Sequence, residues 1–460
     1  MMLSIPSPAL TIPTFVSNSR YSRSLRFGDW HLVTDIGTSA GISARMQAYN
    51  DNWQPLGKTS VPIRLTTPSA DNAPVRFSKA NNKTALDRLV EAMADLLKQI
   101  FPLEKKEPAP SSGKSLVLFI PGQVQDNVVS QMGAEPEALY ECDLDSLPSQ
   151  LQKTLQATPH LQVSSSAKMI VLNDMAGGTA AAMAQLAQKY PDKFKPGLDA
   201  TYMMTGGGIG IAEAFCEGNK HSSDAQVQIH LMELGALRNR RLESNGEDGS
   251  RMSPLLEDRL KEFAAALPKR YEALKSTLIN SRDARIITDY SYACQFIPDL
   301  TQAEFLKAAT KSTRDYLDML GGYLRIRIAT GSNLAILGGK TCAGYRDFVN
   351  AHSNQFHEEL NEYDQHFKRP DNKQKTIFDK VFLVRVRRQL PEKLQGLFDM
   401  RKFDIVSDMN ISSNTEGARY ILQGEIQSRS DRVAIPAKAF LNSSFTAQLP
   451  KALINPVGPE

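Results

Sequence analysis

The chain has 460 residues, of which 41% are hydrophobic and 23% are charged, and these values are typical of a folded globular protein rather than a disordered one. At roughly 150 residues per domain, this length predicts two or three domains. Lys and Arg number 54 against 50 Asp and Glu, and a net charge of +4 on so long a chain does not indicate nucleic-acid binding. No apolar run reaches the roughly 18 residues of a membrane span, so we expect no membrane segment.

The four cysteines lie far apart in the sequence, at Cys142, Cys216, Cys294 and Cys342. No pair has the spacing of a zinc or redox motif, which favours reduced thiols and a cytoplasmic protein. Residues 1–28 are rich in Ser, Pro and Arg and lack the continuous apolar stretch of a secretory signal. We predict no fold for this N-terminal extension.

The next part of the chain predicts antiparallel strands followed by a helix. Turn residues separate three short strand-like runs at residues 29–36, 42–49 and 61–65. Apolar residues then recur at helical spacing from Thr84 to Phe101, just before a proline.

Further along, buried strands alternate with helices. An Ala-rich helix is expected from about Thr179 to Lys189, and a mostly helical region from Ser253 to about Leu320. This alternation predicts an α/β architecture with a partly parallel sheet. The predicted strands of this part are residues 116–120, 169–172, 201–205 and 333–337.

Three of the predicted strands end in turns of small residues. Glycine reaches backbone angles closed to other residues, and consecutive free amides form an anion-binding nest to which a following helix adds its positive end. Each turn alone is more often an ordinary turn, but three of them on separate strands favour a polyphosphate site. They are Asp35-Ile-Gly37-Thr38-Ser39, Thr205-Gly206-Gly207-Gly208-Ile209-Gly210 and Leu337-Gly338-Gly339-Lys340.

Carboxylates and an amide near these strand ends suit phosphoryl transfer. Asp35 can hold Mg²⁺ through water or cap its turn. Asn173 and Asp174 follow an apolar strand, where Asp174 can accept a proton from an attacking hydroxyl and Asn173 can bind vicinal hydroxyls. The alternative is that Asp174 caps the next helix. Glu233 and, more weakly, Glu243 suit sugar hydroxyls, with an ordinary exposed Glu as the alternative.

Taken in order, these segments resemble the motifs of the ROK family of sugar kinases, within the hexokinase–actin–Hsp70 superfamily. The likeness covers roughly residues 29–425. Thr38 replaces the second glycine of the usual D-x-G-G-T motif, Ala236 replaces the His of E-x-G-H, and the cysteine-rich zinc motif is absent. The matching segments are Val33–Ser39, Ile120–Val124, Leu172–Ala176, Thr205–Gly210, Met232–Gly235, Ile336–Gly339 and Glu416–Ala418.

This resemblance implies two α/β domains of the ribonuclease-H-like, actin-like ATPase type around a central cleft. Residues 29–172 would form most of the first domain and residues 173–425 most of the second, which leaves residues 426–460 as a C-terminal tail. The implied reaction transfers the γ-phosphate of Mg-ATP to a hydroxyl of a hexose such as glucose, with the 6-hydroxyl as the expected acceptor. The implied partners are a small-molecule sugar and ATP, with no nucleic acid or membrane, and a homodimer is left open.

The resemblance also assigns roles to single residues. Asp174 would be the catalytic base, and Asn173, Glu233 and Glu243 would bind the sugar together with it. Asp35 would hold Mg²⁺ through water, and no structural zinc is expected. The nucleotide would be bound by Asp35, Gly37, Thr38, Ser39, Thr205, Gly206, Gly207, Gly208, Gly338 and Gly339.

Two other interpretations stay open. The departures at Thr38 and Ala236 fit a sugar- or nucleotide-responsive binding or regulatory protein of the same fold that has weakened catalysis, although the retained Asn173 and Asp174 speak against it. A kinase for a metabolite that is not a sugar would share the ATP site and differ in the acceptor pocket.

Overall fold

The computed structural model describes most of the chain between residues 30 and 441. The described ranges are residues 30–37, 43–56, 63–64, 85–101, 113–125, 128–132, 144–158, 161–206, 208–218, 225–232, 255–281, 283–367, 375–400, 403–409, 414–426 and 432–441. Within these ranges, no helix combines the length and apolarity needed to cross a membrane.

The first sheet has the strand order β3-β2-β1-β5-β8, and β4 pairs separately with β2. Strands β1 and β2 are antiparallel, whereas β1, β5 and β8 run parallel. The elements of this part are β1 (Trp30–Gly37), β2 (Ser43–Asn50), β3 (Pro55–Leu56), β4 (Ile63–Arg64), α1 (Ala85–Ile100), β5 (Gly113–Ile120), β6 (Gly122–Gln125), β7 (Val128–Met132), α2 (Leu147–Thr154), β8 (Val163–Asn173) and α3 (Asp174–Lys189).

The second sheet has the strand order β13-β12-β9-β10-β11-β15-β14. Its elements are β9 (Asp199–Thr205), β10 (Ile209–Glu217), β11 (Gln226–Met232), α4 (Leu255–Ala266), α5 (Lys275–Ser281), α6 (Arg285–Thr288), α7 (Tyr290–Ala293), α8 (Gln302–Thr330), β12 (Leu334–Gly338), α9 (Lys340–Ala351), α10 (His357–His366), α11 (Ile377–Gln389), α12 (Glu392–Met400), β13 (Asp404–Val406), α13 (Ala418–Ile421), β14 (Glu425–Ile426), β15 (Arg432–Pro436) and α14 (Ala437–Leu441).

The two sheets repeat one topology. In each, three consecutive strands run antiparallel, and two later strands, reached through helices, lie parallel to the first strand of the set. The second set is β9, β10 and β11, followed by the parallel strands β12 and β13. This is the ribonuclease-H-like order, so the α/β class predicted from the alternation of strands and helices is confirmed.

Helices differ from the sequence predictions at two glycine pairs. Helix α3 begins at Asp174, five residues before the predicted start at Thr179, and it runs through Gly177 and Gly178. Helix α8 runs through Gly321 to Thr330 and ends at Gly331, whose φ of 116° is left-handed. Gly177, Gly178 and Gly321 lie in close contact with other parts of the chain, which local propensity does not reveal.

Helix α3 lies between the two sheets and joins their cores. One apolar cluster contains residues of the first sheet such as Val33 and Phe119, residues of α3 such as Met183, and residues of the second sheet such as Tyr202. The predicted boundary between residues 172 and 173 falls where β8 meets α3. The predicted domain limits stay a prediction. Part of the predicted C-terminal tail forms β15, which pairs with β11.

A short segment near the C-terminus presses its backbone onto α3. Residues Asn414–Gly417, here called the joint segment, form a 3-10 turn. A Cβ atom added to Gly177 would lie 2.3 Å from the Asn414 carbonyl oxygen, and one added to Gly417 would lie 1.9 Å from the Gly177 carbonyl oxygen. Only glycine allows so close an approach of the two backbones.

We therefore expect Gly177→Ala to destabilise the protein by about 1–3 kcal/mol, because the methyl group must displace backbone atoms. Gly322→Ala on α8 is the matched control, since a Cβ there would have no atom within 4 Å. That control should be neutral or stabilising by about 0.4–1 kcal/mol. Urea or thermal unfolding measures both, and equal effects of the two substitutions would contradict this account of the joint segment.

Candidate active site

The carboxyl ends of the parallel strands bring the predicted acidic residues to one edge of the first sheet. Asp35 lies opposite Phe119, and Phe119 lies opposite Leu172, one residue before Asn173. Since neighbouring strands are about 4.8 Å apart, Asp35 and the β8–α3 junction are separated by about 10 Å across β5. The predicted magnesium ligand and the predicted base therefore face a common region.

Asn173 and Asp174 form the start of α3. The Asn173 side chain is the N-cap, and its Oδ1 accepts a hydrogen bond of 2.8 Å from the Met175 backbone amide. The sequence left open that Asp174 caps this helix, but in the structure the N-cap is Asn173. Asp174 is half-buried in the first helical turn, where the positive end of the helix dipole stabilises a carboxylate.

Asp35 is a partly buried carboxyl group with a hydrogen bond from the joint segment. Asn414 Nδ2 donates to Asp35 Oδ1 at 3.2 Å. Burial raises the pKa of Asp35, and the Asn414 hydrogen bond and the positive charge of Arg45 oppose that increase. Arg45 is the direct partner of Asp35 across the β1–β2 pair. Because burial makes ionisation of this carboxyl group unfavourable, a cation next to it would stabilise the charged form.

The two glycine turns of the second sheet touch each other. Gly206 and Gly208 lie between antiparallel β9 and β10, so a strand and not a helix follows this turn. Gly338 and Gly339 join β12 to α9, and Gly339 has a left-handed φ of 93°. A Cβ at Gly339 would lie 2.1 Å from the Thr205 carbonyl oxygen, and Thr341 Oγ1 donates to the Gly206 carbonyl oxygen at 2.9 Å. Of these two turns, only the second leads into a helix whose positive end can act on an anion.

The start of α3 also meets the glycine hairpin. A Cβ atom at Gly210 would lie 2.2 Å from Met175 Sδ, so the first turn of α3 packs directly on β10. A Cβ at Gly206 or Gly208 would have no atom of the described part of the chain within 4 Å. The N-terminus of α3 is therefore the point where the strand ends of the first sheet meet the glycine turns of the second.

The structure thus brings Asp35, Asn173 and Asp174 together with the Thr205–Gly208 and Gly338–Gly339 turns. Gly37 ends β1 and pairs with Ser43. Five predicted site residues lie outside the described residues, so their roles stay predictions. They are Thr38, Ser39, Gly207, Glu233 and Glu243.

Two residues of this region were not predicted from the sequence. Asn414 lies just before the Glu416-Gly417-Ala418 motif, which was the only available signal for it. Tyr202 lies within the apolar strand β9 and is fully buried. Burial, together with the negative charges of Glu416 and Asp174, raises the pKa of Tyr202, so this phenol stays protonated near Asp174.

Protein ligands for a metal are few in this region. Among the residues that the structure describes, no group of three or more His, Cys, Asp or Glu side chains could hold a metal ion. A single carboxylate is compatible with Mg²⁺, which usually keeps several waters and binds through one or two carboxylates and the substrate phosphates.

A separate crevice lies farther along α3. Ala181 is the first α3 residue in its wall, about 10 Å along the helix from Asp174 at 1.5 Å per residue. Trp53 forms part of the wall, has a left-handed φ of 57° and stacks on His31 with ring centroids 4.8 Å apart. The lining residues are Tyr49, Trp53, Ala181, Ala184, Gln185, Gln188, Thr415, Glu416, Arg419 and Tyr420.

In comparisons with known proteins, this chain is similar to solved structures only. No family model matches the chain, and no curated protein matches it. A glucokinase from Balamuthia mandrillaris in complex with glucose is similar at 13% identity and a TM-score of 0.47, over 85% of this chain and 93% of that chain.

Two further solved structures are also similar. A ROK family glucokinase from Streptomyces griseus in complex with glucose and AMPPNP is similar at 15% identity and a TM-score of 0.41, over 71% of this chain and 89% of that one. A glucokinase from an Antarctic psychrotroph gives 14% identity and a TM-score of 0.38, over 85% and 98% of the two chains. The Streptomyces griseus protein is a member of the ROK family, which is the family that the sequence motifs resemble.

The raised pKa of Asp35 predicts a pH-dependent effect on stability. Because its folded-state pKa lies above the unfolded value of 3.8, Asp35 stabilises the fold most at low pH, and that contribution is lost as pH rises through the folded-state pKa. Asp35→Asn cannot ionise, so its stability relative to the natural chain should increase between about pH 4 and about pH 7. Chemical unfolding across this range tests the prediction, and parallel stability curves would contradict it.

Proposed function

We propose that this chain is an ATP-dependent sugar kinase that transfers the γ-phosphate of Mg-ATP to a hexose hydroxyl, with the 6-hydroxyl as the expected acceptor. One observation carries the proposal. Asp174 lies at the positive end of α3, whose first turn packs on β10 next to the glycine hairpin, and it shares a sheet edge with Asp35. This arrangement offers a base, backbone amides for phosphates and a carboxylate for a cation in one place.

Each group has a distinct task in this reaction. Asp174 accepts the proton of the sugar hydroxyl as its oxygen attacks the γ-phosphorus, while Asn173 orients neighbouring hydroxyls. The amides of the Thr205–Gly208 and Gly338–Gly339 turns hold the phosphates without adding bulk. Positioning and charge neutralisation supply most of the catalysis in phosphoryl transfer, so the relative placement of the two sheets matters as much as the base.

Asp35 is the residue that would hold Mg²⁺, through water. Its partly buried carboxyl group accepts a hydrogen bond from the Asn414 side chain, and a cation nearby would offset the cost of ionising it. When bound, Mg²⁺ supplies charge neutralisation at the transferring phosphate. Glu233 and Glu243 remain proposed sugar ligands from the motif resemblance.

A catalytically weakened binding or regulatory protein of the same fold is the second candidate. The substitutions at Thr38 and Ala236 within two of the motifs favour it. A protein of this class would bind a sugar or a nucleotide without releasing ADP. Adding Mg-ATP and a panel of hexoses, amino sugars and non-sugar alcohols separates the two candidates. The kinase requires ADP formation that depends on one acceptor, and binding without ADP formation by any acceptor would favour the second candidate.

Asp174→Ala should lower turnover by about 100-fold or more, with a smaller effect on sugar binding, because the base acts mainly in the transition state. Asp192→Ala, on the exposed turn after α3, is the matched control and should leave turnover unchanged. Steady-state ADP release and sugar titration by calorimetry provide the two readouts. Near-normal turnover in the folded Asp174→Ala protein would refute the assigned base.

A further inference from the structure

Two buried polar atoms next to the Asp35 site have no hydrogen-bond partner among the residues that the structure describes. They are the Tyr202 hydroxyl oxygen and Asn414 Oδ1. Tyr202 is 0% exposed and Asn414 is 7% exposed, so bulk water does not satisfy either group. Buried groups of this kind are normally paired with protein or with an ordered water.

Both atoms lie close to Gly178 of α3. A Cβ atom placed on Gly178 would lie 2.9 Å from Asn414 Oδ1 and 3.6 Å from the Tyr202 hydroxyl oxygen. A Cβ on Gly338 would lie 2.8 Å from the same hydroxyl. Two glycines, which add no side chain of their own, therefore border the two atoms, and the region between these atoms is here called the Gly178 slot.

The two atoms are chemically complementary. Burial holds the Tyr202 pKa well above its ordinary value, with Glu416 and Asp174 adding to the increase, so the phenol remains a donor. Asn414 Oδ1 is an amide oxygen and can only accept, and the amide nitrogen of the same side chain donates to Asp35. One water can accept from the phenol and donate to the amide oxygen, which satisfies both groups.

We propose that a single buried water occupies the Gly178 slot and bridges Tyr202 to Asn414, which fixes the Asn414 amide with its nitrogen toward Asp35. Tyr202 and Asn414 are thereby positioning residues for the Asp35 carboxylate. Without the bridge, the amide can turn over and present its oxygen to the carboxylate, and the hydrogen bond is lost. The positioning role rests on the proposed function, whereas the water bridge does not.

Tyr202→Phe tests the bridge through the sign of its effect on stability. Removing a hydroxyl that has no partner should raise the melting temperature, because an unsatisfied buried group is lost. Removing a bridged hydroxyl should lower it, and we expect that decrease. Tyr271→Phe is the matched control, since the Tyr271 hydroxyl donates to the Asp299 carbonyl oxygen at 2.8 Å and its loss should also lower the melting temperature. A melting temperature of Tyr202→Phe equal to or above that of the natural chain overturns the proposal.

A high-resolution crystal structure of the full chain provides the second test. It should contain one water within hydrogen-bond distance of both the Tyr202 hydroxyl and Asn414 Oδ1. An empty slot, or a direct hydrogen bond between the two side chains, overturns the proposal. Neither this test nor the unfolding experiment requires kinase activity, so both give a result even if the proposed function fails.

The positioning role has its own readout. In the kinase assay, Tyr202→Phe should raise the Mg²⁺ concentration for half-maximal activity by about tenfold, because loss of a residue that orients a metal ligand weakens metal binding. The KM for the sugar should change little, and Tyr271→Phe should leave the Mg²⁺ dependence unchanged. An unchanged Mg²⁺ dependence of the Tyr202→Phe protein would contradict the positioning role of Tyr202.

Discussion

The backbone contact between Gly177 and Gly417 is the constraint on which the candidate site depends. Because neither residue has a side chain, the joint segment can rest directly on α3. Asn414 then reaches Asp35 at the end of β1, and Asp174 starts α3 close to the glycine hairpin. A larger residue at either glycine would separate the two backbones and move the proposed magnesium and base residues independently of each other.

The repeated topology explains why the site is assembled from so many distant segments. In each sheet, the carboxyl ends of the parallel strands lie at one edge. Side chains and backbone amides at this edge can contact a ligand. The first half contributes carboxylates and an amide side chain, and the second contributes glycine turns. This division separates acid–base chemistry from phosphate binding while α3 keeps the two in contact.

Sequence patterns predicted some of the strands, among them β1, β2, β5, β9 and β12, together with the α/β class and several segments that meet at α3, because apolar runs and glycine turns are local signals. They did not predict β10, β11 or β15 of the second sheet. They did not predict the start of α3 at Asp174, since Gly177 and Gly178 look like helix breakers until the contact with the joint segment is known. Asn414 and Tyr202 were missed for a related reason. Their significance lies in contacts between segments more than 200 residues apart, which no local pattern records.

The aromatic crevice on α3 gives the chain a natural optical reporter. The protein has two tryptophans, and Trp30 is fully buried in the first core whereas Trp53 stands in the crevice wall beside residues of α3 and α13. Trp53 lies in the turn between β2 and β3 of the first sheet, and the opposite wall, from Thr415 to Tyr420, belongs to the segment that follows β13. Any rotation of one half against the other alters the surroundings of this single ring, so its emission follows that rotation without an attached dye.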